Sequence, residues 1–160
     1  MSERRLTSSF HDRNSGHDFV GRSVGFGSLS IWTHWLKDFE FLPEYSIGEY
    51  HGMAARVSSG IESWEVYDQM DSHNMTVLVA AGYTVGAFGG WMTGGGHCVL
   101  ASKYGLGADQ VLSINVITAD GSFVTADVNQ NPDLFYALRG GGGSKYTEKS
   151  GIHDFHASAG

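Results

Sequence analysis

The chain is short of cysteine, proline and clustered positive charge. Among its 160 residues Cys98 is the only cysteine, which excludes an internal disulfide framework and a cysteine-based zinc site. Two prolines beside a 41% apolar share exclude a low-complexity Pro/Gly polymer. No Lys/Arg block exceeds the pair Arg4–Arg5, and the net charge is -7. Phosphate neutralisation needs clustered cations, so no nucleic-acid partner is expected. No stretch approaches the roughly 20 apolar residues of a membrane span, so no membrane partner is expected either. The segment MSERRLTSSF has no apolar run of the secretory kind, and localisation stays open.

The common nucleotide and metallohydrolase signatures are missing as well. None of Lys37, Lys103, Lys145 and Lys149 follows a glycine, so there is no P-loop. No GxGxxG spacing opens a dinucleotide fold, and no HExxH occurs. His153 and His156 have a metal-like spacing, but no further ligand lies nearby in the sequence. We read the spacing as chance and expect no metal. Asn74-Met75-Thr76 matches the glycosylation pattern, which counts only in a secreted chain.

What the chain has in excess is glycine, 23 residues, about twice the usual share. Eight of them fall between Gly86 and Gly107. The gaps hold Val85, Phe88, Trp91, Met92, Val99, Leu100, Tyr104 and Leu106, not the Ser, Thr and charge of a flexible linker. Apolar residues want burial, and glycine lets the backbone turn or approach closely. The stretch reads as an ordered loop against a flat, bulky partner, or as tight turns in an all-β core. A second short loop, Arg13 to Gly21, carries small hydrogen-bonding residues around His17. It reads as an anion-binding nest of backbone N–H groups, or as an ordinary turn with an exposed histidine.

Elsewhere the patterning predicts alternating elements in an α+β domain. Residues 1–12 carry no periodicity. Leu29 to Leu36 reads as a strand, Glu40 to Pro43 as the entry to a polar loop around Gly48 and Gly52, and Met53 to Val57 as a strand. Ser63 is expected to cap a helix, with Trp64, Tyr67 and Met70 making an apolar face beside Val66. Thr76 to Ala80 reads as a buried strand. Val111 to Thr118 and Phe123 to Ala126 flank Asp120-Gly121, a hairpin signal. Asn131-Pro132-Asp133 opens a last helix that stops at Gly140.

The segments RNSGHDFVGRS, LSIWTHWLKDFEF, YTVGAFGGWMTGGGHCVLASKYGLGADQVLSINVITADG and NPDLFYALRGGGGS, in that order and spacing, resemble the PCMH-type flavin-binding domain of FAD-linked oxidases. That is the vanillyl-alcohol-oxidase superfamily, in its berberine-bridge-enzyme-like branch. The resemblance spans residues 13–144 and leaves 1–12 and 145–160 unmatched. It implies FAD as cofactor. Arg13, Asn14, Ser15, Gly16, His17 and Asp18 would wrap the pyrophosphate. His17 matches the histidine that bonds the flavin 8α carbon. Thr84, Val85, Gly86, Gly89, Gly90, Gly94, Gly95, Gly96 and His97 would pass the isoalloxazine, ribityl and phosphate groups. Gly107, Asp109 and Val111 would continue that wall, and Val116 would lie at the adenine.

The resemblance also implies hydride transfer from a small-molecule substrate carbon to flavin N5, then reoxidation by oxygen. Catalytic residues and substrate are not implied by the matching segments. Family members are often secreted. The cysteine that many members carry before Thr-Val-Gly is replaced by Ala81-Gly82-Tyr83, so any covalent attachment is expected to be single. The resemblance further implies a domain incomplete at its N-terminus and lacking the substrate domain. The alternative function is a truncated, non-catalytic FAD-binding remnant or an inactive relic.

Overall fold

The computed structural model describes residues 10–142 and 152–158, with the side chains of Phe10 and 152–158 left aside. Strand β1 (Phe10–Arg13) lies parallel to β2 (Leu29–Trp32) in a separate two-stranded ribbon. Neither end of the ribbon matches the patterning: β1 reaches into the segment read as featureless, and β2 stops at Trp32. Local pairing explains the stop. Trp32 Nε1 donates to the Asn14 carbonyl at 2.9 Å, and the chain turns back through a 3-10 turn at Thr33–Trp35.

A five-stranded sheet carries the rest. Strands β3 (Phe39–Ile47) and β4 (Tyr50–Ser58) form an antiparallel hairpin; β4 contains the strand expected at Met53–Val57, and the rest of the hairpin stands where a polar loop was expected. The chain turns at Gly48, whose φ of 55° suits glycine. Register slips between Leu42 and Tyr45. Pro43 sits there and can donate no ladder hydrogen bond, and β3 is an edge strand, where proline is tolerated.

Helix α1 (Ser63–His73) starts one residue earlier than a Ser63 cap implies. Glu62 is the cap residue, and its N–H donates to the Glu65 carboxylate at 2.8 Å. Ser63 is buried and donates to the Val85 carbonyl instead. The apolar face divides: Val66 and Met70 join the core, while Trp64 and Tyr67 stay part-exposed and pack on Tyr83. Residues 75–80, buried except for the half-buried Thr76, pair in no ladder, so the expected strand there is an extended core segment.

Short helices α2 (Gly90–Thr93) and α3 (Ala101–Tyr104) and a 3-10 turn at Gly107–Gln110 lead into the hairpin β5 (Val111–Ile117)–β6 (Phe123–Asp127). That hairpin turns at Asp120-Gly121 as its sequence indicates. Helix α4 (Pro132–Leu138) follows, with Asn131 before its first turn. Patterning assigns no element after residue 144, yet β7 (Ile152–Ser158) lies between β4 and β5, antiparallel to both. The sheet order is β3-β4-β7-β5-β6. His153 and His156 fall in β7, and their side chains lie outside the described set.

The core sits between this sheet and helices α1, α2 and α4. Val57, Val66, Phe88, Met92, Ile114, Val116 and Leu138 are its largest fully buried members. No helix among the described residues is long and apolar enough to cross a membrane.

Candidate cofactor site

Two loops remote in sequence interlock. His17 Nε2 lies 2.8 Å from Thr84 Oγ1. The Gly86 N–H donates to Ser15 Oγ at 3.0 Å. The Asn14 side chain fills the space beside Gly86 and Gly89, where a Cβ on either would strike its amide. Asn14 Nδ2 in turn donates to the Ser59 carbonyl. Gly16 gives the first loop its turn, with φ of 86°.

The second loop is fixed on helix α1. The Trp64 N–H donates to the Tyr83 carbonyl at 3.1 Å, the Ser63 N–H to Val85 at 2.9 Å, and the Ala87 N–H to Ile61 at 3.1 Å. Thr84 and its neighbours therefore take one backbone course. Phe88 and Met92 anchor the loop from below as core residues.

Several backbone N–H groups at this junction have no acceptor among the described residues. They belong to Ser15, Gly16 and His17 on one loop and to Gly89 and Gly90 on the other. Gly89 is buried, and buried N–H groups are seldom left unpaired. Unpaired donors on two loops that touch suit a group rich in acceptor oxygens, such as a diphosphate.

The FAD binding domain family matches residues 8–127. The chain belongs to that family. FAD-linked oxidoreductase patO of Aspergillus clavatus is 45% identical over 134 residues, covering 84% of this chain and 23% of the relative. The solved structure of VAO-type flavoprotein MtVAO615 from Myceliophthora thermophila C1 is 38% identical with a TM-score of 0.90, covering 95% of this chain and 27% of the other. Two more distant structures carry the fold alone. Physcomitrella patens BBE-like 1 has 24% identity, a TM-score of 0.79 and coverage of 96% and 31%. Glucooligosaccharide oxidase from Acremonium strictum, described with 6-S-cysteinyl, 8α-N1-histidyl FAD, has 22% identity, a TM-score of 0.76 and coverage of 95% and 30%. The chain spans about a quarter of the length of these relatives. Its fold is that of a PCMH-type FAD-binding domain, of mixed helix and sheet.

The candidate FAD residues separate into a joined set and a dispersed set. Asn14, Ser15, His17, Thr84, Gly86 and Gly89 meet at the junction, and Gly16, Val85 and Gly90 adjoin them in the chain. Arg13 and Asp18 flank it. The Arg13 guanidinium lies 5.4 Å over the Trp32 ring. Asp18 accepts bonds from the Arg22 backbone at 2.6 Å and Nε at 2.8 Å, and these bonds to Arg22 hold its carboxyl below the usual range. Gly95 and Gly96 pair with the 3-10 turn, accepting from Ala108 at 3.0 Å and Gly107 at 2.8 Å. Gly94 caps α2 and His97 is exposed.

Asp109 is already engaged, accepting the Leu106 N–H at 2.8 Å. Val111 and Val116 are buried core residues of β5. Val116 pairs with Val124 on one side and Ile152 on the other, and among the described residues no hydrogen bond or strand pairing joins it to the His17–Thr84 junction. A separate open cavity of about 510 Å³ includes Asp109 and Val111 with Tyr50, Phe135 and Arg139, and none of the junction residues.

Patterning missed the supports. Ser59, Ser63 and Trp32 position the two loops through backbone and indole bonds. Nothing in their spacing announces a partner up to 45 residues away.

Proposed function

We propose that the junction of Arg13–Asp18 with Thr84–Gly90 holds FAD, and that the chain serves flavin-dependent oxidation of a small-molecule substrate with oxygen as the final acceptor. When bound, FAD supplies a hydride acceptor and a route to oxygen. The chain's own residues do the rest. Ser15, Gly16, His17, Gly89 and Gly90 offer N–H groups, and Asn14 and Ser15 keep the two loops at a fixed spacing. His17 stands at the junction as the candidate for attachment to the flavin 8α carbon. Gly94–His97, Gly107–Val111 and Val116 remain proposed as the outer wall and the adenine side. The observation that carries the reading is the interlocking of these two loops, by His17–Thr84 and Ser15–Gly86, across 67 and 71 residues.

A second reading is FAD binding by this chain without turnover, since the matching segments name no catalytic residue. Turnover measured with oxygen separates the two. Binding is tested by titration: FAD is expected to bind more tightly than NAD, and tighter NAD binding would remove the proposal. Acid precipitation tests the attachment. Flavin is expected to stay on the native pellet, map to the peptide of His17, and be released from His17→Ala.

A further inference from the structure

We infer that Thr84 is a positioning residue for His17, holding the imidazole as the Nε2–H tautomer so that Nδ1 is the nitrogen left to bond carbon. The inference rests on the attachment proposed above. Nε2 is the ring nitrogen 2.8 Å from Thr84 Oγ1. A neutral imidazole has one N–H and one lone pair. If Nε2–H donates to Thr84, the lone pair sits on Nδ1, which has no partner among the described residues. If the hydroxyl donates instead, the only lone pair is consumed and neither nitrogen can attack. Only the first arrangement leaves a nucleophile.

Thr84 is well placed for this because its backbone cannot drift. The residues on either side, Tyr83 and Val85, both give their carbonyls to the first turn of α1, at Trp64 and Ser63. The His17 loop is tied to the same segment through Ser15 Oγ and the Gly86 N–H. An exposed hydrogen bond between two mobile loops would fix little. Between these two loops it fixes ring rotation as well as tautomer, the kind of orientation on which attack at carbon depends.

The bond balances with dioxygen as the oxidant. Nδ1 joins the 8α carbon, which loses one hydrogen, and the imidazole loses its N–H. Both hydrogens and the electron pair pass to the flavin, and dioxygen removes them as hydrogen peroxide.

The test compares the full chain with Thr84→Val and Thr84→Ser. Long-range nitrogen NMR of the flavin-free chain at alkaline pH is expected to show His17 as Nε2–H, with that preference lost in Thr84→Val and restored in Thr84→Ser. After addition of FAD, acid precipitation is expected to show linkage slowed about tenfold in Thr84→Val. Analysis of the histidyl-flavin peptide is expected to find Nδ1 in the native chain and part Nε2 in the variant. An Nδ1–H tautomer in the native chain, or Thr84→Val matching it in tautomer and linkage, would overturn the inference. A native chain with the expected tautomer but no bound flavin on the pellet removes the attachment and leaves Thr84's hold on the ring standing.

Discussion

Ile31 and Ile114 are the same residue in two short strands with opposite fates. Ile31 in β2 is 44% exposed, whereas Ile114 in β5 is fully buried. The contrast extends to their surroundings. Leu29, Ile31 and Trp32 line an open ribbon, while Ile114 and Val116 face Val66, Phe88 and Leu138. The candidate cofactor site lies across this divide. One wall, Thr84–Gly90, stands on a packed core. The other, Arg13–Asp18, hangs from a ribbon that buries little and is attached by a few polar contacts. The ribbon's attachment, not the core, should therefore set how well the site is formed.

The largest break is expected at Gly60. Its N–H donates to the Leu36 carbonyl at 3.0 Å, closing the ribbon onto the end of β4. A Cβ there would stand 2.7 Å from the Leu36 carbonyl oxygen and 2.8 Å from that of His34, and nearer still to that of Thr33. These are backbone atoms and cannot swing aside. Gly60→Ala should cost roughly 3 kcal/mol. Thermal melting should read this as a loss on the order of 10 °C, accompanied by weaker FAD binding.

Asn14→Asp is the next test and acts on the other side of the divide. Asn14 Nδ2 is the donor to the Ser59 carbonyl, and the side chain packs beside Gly86 and Gly89. A carboxylate offers no donor and brings charge into a part-buried gap. The expected cost is about 2 kcal/mol. Hydrogen exchange should show faster opening of β1 and β2 with little change in β5 and β6. Uniform acceleration across both sheets would mean that ribbon and core form one cooperative unit.

The same divide separates what patterning could and could not show. The β5–β6 hairpin and helix α4 were legible because their signals are local: a β-branched run, Asp120-Gly121, and Asn131-Pro132-Asp133. The two loops of the site were legible in composition only as open alternatives, and as a site only by family likeness, since Gly86 and Gly89 serve contacts with Asn14, 72 and 75 residues away in sequence. The apolar residues among the glycines divide in a way composition could not show. Phe88 and Met92 fill the core, while Val99, Leu100, Tyr104 and Leu106 remain exposed. Strand β7 escaped notice because His, Asp and Ser interrupt its apolar residues, and its position depends on pairing with β4 and β5. Asp109 was read as a site residue from the resemblance alone, and its carboxylate also accepts the Leu106 N–H.

The smallest effect sharpens the comparison within the ribbon wall itself. Asp12 and Asp18 lie six residues apart and titrate in opposite directions. Burial raises the Asp12 carboxyl, against a weaker opposing pull from His11. Hydrogen bonds from Arg22 lower that of Asp18. A carboxyl raised in the folded chain favours folding while protonated, so its cost appears as pH climbs from about 3.9 through the raised value and persists at neutrality. A lowered carboxyl contributes above about 3.9, and that contribution fades as pH falls through the lowered value. Asp12→Asn should therefore stabilise the ribbon at pH 7 by on the order of 0.5 kcal/mol and give no gain near pH 3. Arg22→Ala should return Asp18 to the ordinary carboxylate range, with little change in melting because the pair is exposed to solvent. Carboxyl carbon shifts followed by NMR through an acid titration check both. If the two aspartates titrate together in the native chain, the half-burial of β1 is not felt by its carboxylate, and the ribbon opens more freely than its contacts with Asn14 and Gly60 imply.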